Sequence, residues 1–428
     1  MTSDLAIRGF LFLFFPFCAI LSCKDSCFRK KEGKKMKKLL ISLLLTVFLT
    51  GCGTGSGFSV SAGKAEPMVK TVKMAVVGDI MVHDYQYNEA YDPATGAYDF
   101  MHNFQDAKKY FAGNDLVIGN LELTFGGPDR PYASFPCFNT PDSFLDAVKD
   151  AGFNLLTTAN NHSMDTGKNG VIRTLDKLDE YGIEHFGTYR SQEERDTIFY
   201  KNVNGIRFAF LSYTYGTNGL PVPDAYLVNL IDEEQMVSDI QEARQNADVV
   251  VVMPHMGNEY ESYPRDIFVN WADLMFESGA DIVLASHPHV LQRMEYRKLD
   301  HGNGEHDGFI IYSLGNFISS QTTPPRNASI ILHLTVEQVG NAPANVTEVS
   351  FVPIWTQFRN AANENHFVVR SVTERLSLSQ EEKDSQIRRK DQIRLEEIHH
   401  ETASFLLGRE IPLSEMQEEY IFPKKIQK

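Results

Sequence analysis

From Thr71 onward, short and almost continuously apolar runs alternate with amphipathic ones, and this alternation limits the chain to α/β architecture with a largely buried sheet. Val72–Val77, Leu116–Ile118, Asn154–Thr158, Arg207–Ser212, Asp248–Met253 and Asp281–Ala285 read as strands. Asp99–Phe111, Asp142–Ala151, Lys168–Tyr181 (stopped by Gly182), Ile231–Asn246 and Arg265–Ser278 read as helices between them. Three later strands, Phe309–Ser313, Ile330–Val336 and Val346–Val352, have no helices between them, which implies antiparallel additions or a second sheet layer. After Trp355 the pattern changes. Val372–Leu407 is dense in Glu, Gln, Arg and Lys and reads as a solvated helical appendage, with a partner-binding helix as the weaker reading.

Five polar clusters stand just beyond the strands. They are Gly78-Asp79, Asn120-Leu121-Glu122, Asn160-Asn161-His162, Pro254-His255-Met256-Gly257 and Ser286-His287-Pro288-His289. In open α/β sheets, sites form beyond the carboxyl ends of strands, where loops bring distant residues together. Asp79 and Glu122 would offset the charge of a cation. With Asn161, His255, His287 and His289 they make a mixed N/O set suited to one or two divalent ions such as Mn, Zn or Fe. His162 reads as an acid or phosphate contact outside the ligand set, oriented by Asp165. On an extended segment, His287 and His289 would share one side, with Pro288 between them. His83 and Asp84 are intermediate candidates, while His102, His185, His301, His306, His399 and His400 read as ordinary surface or core residues.

The N-terminus carries an address. Met36-Lys37-Lys38, an apolar run Leu39–Leu49 and then Leu49-Thr50-Gly51-Cys52 have the form of a lipoprotein signal over 36–51, with Cys52 as the lipidated residue. Residues 1–35 read as sequence upstream of a start at Met36 and do not belong to the fold. Residues 52–70, rich in Gly and Ser, form a flexible tether, followed by a globular domain over 71–357 and a charged tail over 358–428. The expected location is the extracytoplasmic face of the cell membrane, anchored by lipid. Cys137 reads as a small apolar filler.

The chain has a formal net charge of -15, and the first 51 residues are basic, so the body is more anionic still. That excludes nucleic acid as a partner held by charge and leaves a metal or a local basic groove to attract any anionic polymer.

The clusters, together with Ala159–Asp165, His255–Tyr260, Gly279-Ala280-Asp281, Ser286–Gln292 and Ser313–Phe317, resemble in order the CapA family of bacterial poly-γ-glutamate capsule synthesis proteins. That family is in turn similar to calcineurin-like metallophosphoesterases, which implies a four-layer α/β/β/α sandwich. Position by position, the resemblance makes Asp79 the first metal aspartate and puts Glu122 where a bridging aspartate is usual. Asn161-His162 become ligand and catalytic histidine, His255 the lone histidine ligand, and His287 and His289 the terminal pair. Three departures stand out: Ile80-Met81 follow Asp79 where a histidine is usual, the bridging residue is Glu, and Met256 replaces a tryptophan. The implied function is capsule or cell-envelope polymer synthesis or export with a metal-dependent, phosphoesterase-like hydrolytic centre, the polymer and membrane-bound synthase subunits being its partners. The alternative is a non-catalytic, metal-binding scaffold within the synthase, and a third is a polymer hydrolase unconnected with synthesis.

Overall fold

The computed structural model describes residues 67–424. The signal, Cys52 and most of the tether lie outside the described residues. The chain first lays down β1 (Val69–Ile80), β2 (Leu116–Leu121), β3 (Leu155–Thr157) and β4 (Glu184–Phe186), all mutually parallel. It then crosses to a second sheet made of β5 (Phe199–Val203), β6 (Ile206–Thr214), β7 (Val249–His255), β8 (Ile282–Leu284), β9 (Met294–Leu299) and β10 (His306–Ile311). Finally it returns to the first sheet with β11 (Asn316–Ile318), β12 (Ala328–Val339), β13 (Asn345–Arg359), β14 (Asn365–Ser371) and β15 (Tyr420–Ile421). The strand orders are β14-β13-β12-β1-β2-β3-β4 and β9-β10-β8-β7-β6-β5, with β11 beside β1 and β15 beside β13.

Alternate residues of the strands separate the layers. Val72, Met74, Val76 and Ile118 of the first sheet face Phe208, Val251, Met253 and Ile311 of the second in one shared core. Ala75, Val77 and Leu156 turn outward onto helices α1 (Phe144–Ala151) and α2 (Gly167–Glu180). Leu211, Val250, Val252 and Val283 turn the other way onto α3 (Glu233–Asn246) and α4 (Asp266–Ser278). The expected α/β/β/α sandwich is therefore present, each sheet covered by helices on its outer face.

Two expectations change. Asp99–Phe111 is no continuous helix but two 3-10 turns, Met101–Phe104 and Lys108–Tyr110. These turns seat Phe104 and Phe111 against Phe153 and Phe317. The tail is also no solvated appendage. β13 runs through the expected boundary at 357, β14 and β15 extend the same sheet, and all the described residues belong to one compact unit. Helix α5 (Arg389–His399) buries Leu395 and Ile398 fully, against Trp355 and Val372. The charged composition concealed a narrow apolar stripe because Arg394, on the same helix, is itself buried and paired with Glu397 and Glu401.

Candidate metal centre

The carboxyl ends of β1, β2, β3, β7 and β8 meet at one edge of the sandwich, and the five clusters meet there too. At Gly78 the chain passes so close to the β10–β11 loop that a Cβ would lie 1.9 Å from the Gly315 carbonyl oxygen. The next residue, Asp79, donates its backbone N–H to that carbonyl at 3.0 Å. The bulge at this point turns the Asp79 carboxylate into the site. Asp79 and Glu122 are both fully buried. Asn120 Nδ2 donates to Asp79 Oδ1 at 2.8 Å, and His289 Nδ1 lies 3.0 Å from Asp79 Oδ2 and 3.0 Å from Asn316 Oδ1.

Glu122 differs from every other carboxylate nearby. Neither of its buried oxygens has a hydrogen-bond partner. His255 Nε2 is 3.5 Å and His289 Nε2 is 3.9 Å from Oε1. Its donor atoms complete two overlapping triads, Asp79–Glu122–His255 and Glu122–His287–His289, and within each triad the donors lie within 4.8 Å of one another. The buried Nδ1 of His287 also lacks a partner. A carboxylate taken out of water without compensation is costly, so this donor set fits a divalent cation far better than it fits an unaided core. Asn161 adds a carbonyl oxygen 2.7 Å from His255 Nε2, while its Nδ2 donates to Asn218 Oδ1 at 3.2 Å.

Burial and mutual charge set the protonation of these groups. Burial raises Asp79, but His289, His255 and Asn120 outweigh it and bring the pKa down to about 2. Burial, then the charge on Asp79, pushes Glu122 well above the usual carboxylate range. His289 is lowered by burial yet held up at about 9 by Glu122 and Asp79. Burial takes His255 down to about 3 and His287 well below the usual imidazole value. The protein groups alone thus favour an anionic Asp79 beside His289 and disfavour a charge on Glu122.

The terminal histidines do not sit on an extended strand. His287 has φ 106° and His289 φ 59°, so the loop coils left-handed and presents both rings by curvature rather than by alternation. Gly257 (φ 135°) makes room for this loop, since a Cβ there would lie 2.6 Å from Pro288 Cγ. Strained backbone of this kind persists where the surroundings over-determine it, often at functional sites.

His162 lies beside the ligand set. Its Nδ1 is 2.7 Å from Asp165 Oδ2, and its ring packs edge-on against Phe138 at 4.7 Å. The Phe138 backbone N–H also donates to Asp165 Oδ2 at 2.6 Å. Burial raises the Asp165 pKa, against the opposing pull of His162. His83 is not brought into either triad: its ring stands edge-on to Phe138 and its Nδ1 accepts from the Ser320 N–H. Asp84 opens the short helix Asp84–Ala90. Cys137 is a free thiol of intermediate burial.

A profile described as bacterial capsule synthesis protein PGA_cap matches residues 73–321. The chain belongs to this family. It is 32% identical over 309 residues to the PGA biosynthesis protein CapA of Bacillus subtilis, covering 68% of this chain and 78% of that relative. It is 27% identical over 349 residues to the capsule biosynthesis protein CapA of Bacillus anthracis, covering 76% and 79%. Among solved structures, a 5'-nucleotidase from Candida albicans aligns over 66% of this chain and 52% of its own, at 13% identity and a TM-score of 0.37. That structural likeness is distant and carries no functional weight.

Within this PGA_cap chain, sequence reasoning missed the residues that support the ligands. Asn120 and Asn316 brace Asp79 and His289; each directly follows a glycine at the end of an apolar run, Gly119 and Gly315. Tyr215, whose ring lies 4.5 Å from His287, and Asn218 follow β6 directly. The strand-end rule applied to β6 as to its neighbours would have found them.

Proposed function

We propose that this chain is a metal-dependent hydrolase of capsule or cell-envelope polymer synthesis, held outside the membrane by a lipid on Cys52. Asp79, Glu122, Asn161, His255, His287 and His289 hold one or two divalent cations, with Glu122 shared between the two triads. The observation that carries this reading is the pair of unpartnered Glu122 oxygens buried among three histidines and a second carboxylate. A bound cation supplies Lewis acidity toward the scissile bond and acidifies a water. His162, with Nδ1 engaged by Asp165, keeps Nε2 for giving a proton to the leaving oxygen of a phosphate ester or polymer linkage. Asp165 is a positioning residue: it fixes the tautomer and orientation of the ring. Membership of the capsule synthesis family supports a polymer substrate and a synthase as partner, and the lipoprotein-like segment at 36–52 supports the outer face of the membrane. Among the described residues no helix is long and apolar enough to cross a membrane.

The test is metal content by elemental analysis combined with hydrolysis of an aryl phosphodiester, for wild type, Asp79→Ala and His289→Ala. Stoichiometric metal and turnover in the wild type, both lost in the variants, support the proposal. Metal lost in the variants but no turnover in any protein identifies a scaffold. A wild type that binds no metal removes the reading altogether.

A further inference from the structure

A second group of ligand-type side chains lies apart from the strand-end centre and shares no residue with it. Glu89 closes the short helix Asp84–Ala90, His102 sits in the 3-10 turn Met101–Phe104, and His366 stands at the start of β14. More than 260 positions separate His102 from His366, yet their rings stack at 5.4 Å with an interplanar angle of 10°. Glu89 faces both: Oε2 is 2.9 Å from His102 Nε2, and Oε1 is 3.8 Å from His366 Nδ1. Donor atoms of all three fall within 4.8 Å of one another.

An ordinary ion pair accounts for only half of this arrangement. Glu89 and His102 form one contact of hydrogen-bond length. His366, however, holds its nitrogen beyond hydrogen-bond reach of the second oxygen, while its ring is kept parallel to that of His102. With metal–nitrogen and metal–oxygen bonds of about 2.1 Å, ligands around a tetrahedral ion stand roughly 3.4 Å apart, and the two observed separations bracket that value. Asn103 Nδ2 donates to the Phe367 carbonyl at 2.5 Å, tying this turn to β14, and lies 3.2 Å from His102 Nε2, the nitrogen that also faces Glu89. The side chains are 15%, 28% and 31% exposed for Glu89, His102 and His366, which leaves a coordination position open to water.

We propose that Glu89, His102 and His366 form a second divalent transition-metal site, suited to Zn(II), that clasps β14 to the segment following β1. Two imidazoles and one carboxylate are a zinc-type donor set. The site joins chain segments from opposite ends of the domain, so the ion acts as a cross-link. It holds with or without catalysis at the strand-end centre.

The full-length protein, stripped by chelator and reloaded with Zn(II), is compared with Glu89→Gln, His366→Ala and Asp79→Ala by elemental analysis. Glu89→Gln keeps the shape of a partly exposed side chain and guards against a folding artefact, checked by near-ultraviolet circular dichroism. The expected result is one zinc fewer per chain in Glu89→Gln and in His366→Ala than in wild type, with that zinc retained in Asp79→Ala. In the Asp79→Ala background, Zn(II) should also raise the Tm, and adding Glu89→Gln should abolish the shift. Equal zinc in wild type, Glu89→Gln and His366→Ala would overturn the site. Metal lost only in Asp79→Ala refers to the other centre and equally overturns this one.

Discussion

Replacing Glu122 by methionine separates a metal ligand from a structural carboxylate. The side chain is fully buried and both oxygens lack partners, so in chelated protein its polar atoms cost stability rather than add it. A buried polar group left without a hydrogen-bond partner costs about 1–3 kcal/mol, a penalty that an apolar side chain of similar volume removes. Methionine is flexible enough to fill the gap. Glu122→Met should therefore stabilise the chelated protein by about 1–3 kcal/mol, which at ~2 cal/mol/K of unfolding entropy per residue is a Tm gain of roughly 1–4 °C for a body of this size. With cation present at 1,000 times its Kd, wild type gains about 4.1 kcal/mol that the variant forgoes. The order of stability should then invert. Scanning calorimetry in chelator and in excess metal reads both halves of the comparison. A variant less stable than wild type in chelator by more than about 1 kcal/mol would falsify the reasoning, because Glu122 would then be making bonds that hold the fold.

Three further outcomes follow from the same geometry. His289 is raised from 6.5 to about 9 and burial pushes Glu122 upward, so cation binding at this centre competes with protons. Metal affinity should rise with pH up to about 9, with net proton release on binding at neutral pH, read by titration calorimetry in buffers of different ionisation enthalpy; an affinity flat between pH 6 and 9 would refute the protonation scheme. In chelated protein the two groups pull opposite ways: the stabilisation from His289 is complete below 6.5 and lost as pH rises through about 9, while that from Asp79 is complete above 3.8 and lost as pH falls toward about 2. Asp165→Asn should lower turnover about 100-fold or more with metal content unchanged, and adding it to His162→Ala should cost little further, since the two act as a unit. Leu395→Ala should destabilise by about 2–5 kcal/mol in denaturant melts; a loss under about 0.5 kcal/mol would return the C-terminal helix to the status of an appendage.

The strand-end positions of Asp79, Glu122, His255 and His289 were readable because a local pattern, an apolar run ending in a polar group, coincides with a general rule of α/β sheets. Their contacts were not, since β1 pairs with β12 more than 240 residues away in register Val76↔Leu332, and no local pattern encodes that pairing. The same limit explains the tail. Ile387, Leu395 and Ile398 look sparse in a charged run until Trp355 and Val372 supply the opposite wall. It also explains why His102 reads as an ordinary residue in sequence: its surroundings become unusual only when β14 brings His366 alongside. The loop at His287 and His289 fails for another reason: alternation assumes extended backbone, and positive φ at two non-glycine residues violates that assumption where Gly257 and Gly315 open space for it. Local pattern therefore predicts donor chemistry well wherever a strand ends. It predicts poorly where strain or a distant strand sets the position of the donor, and at His287, His289 and Glu122 that position decides whether a cation is held.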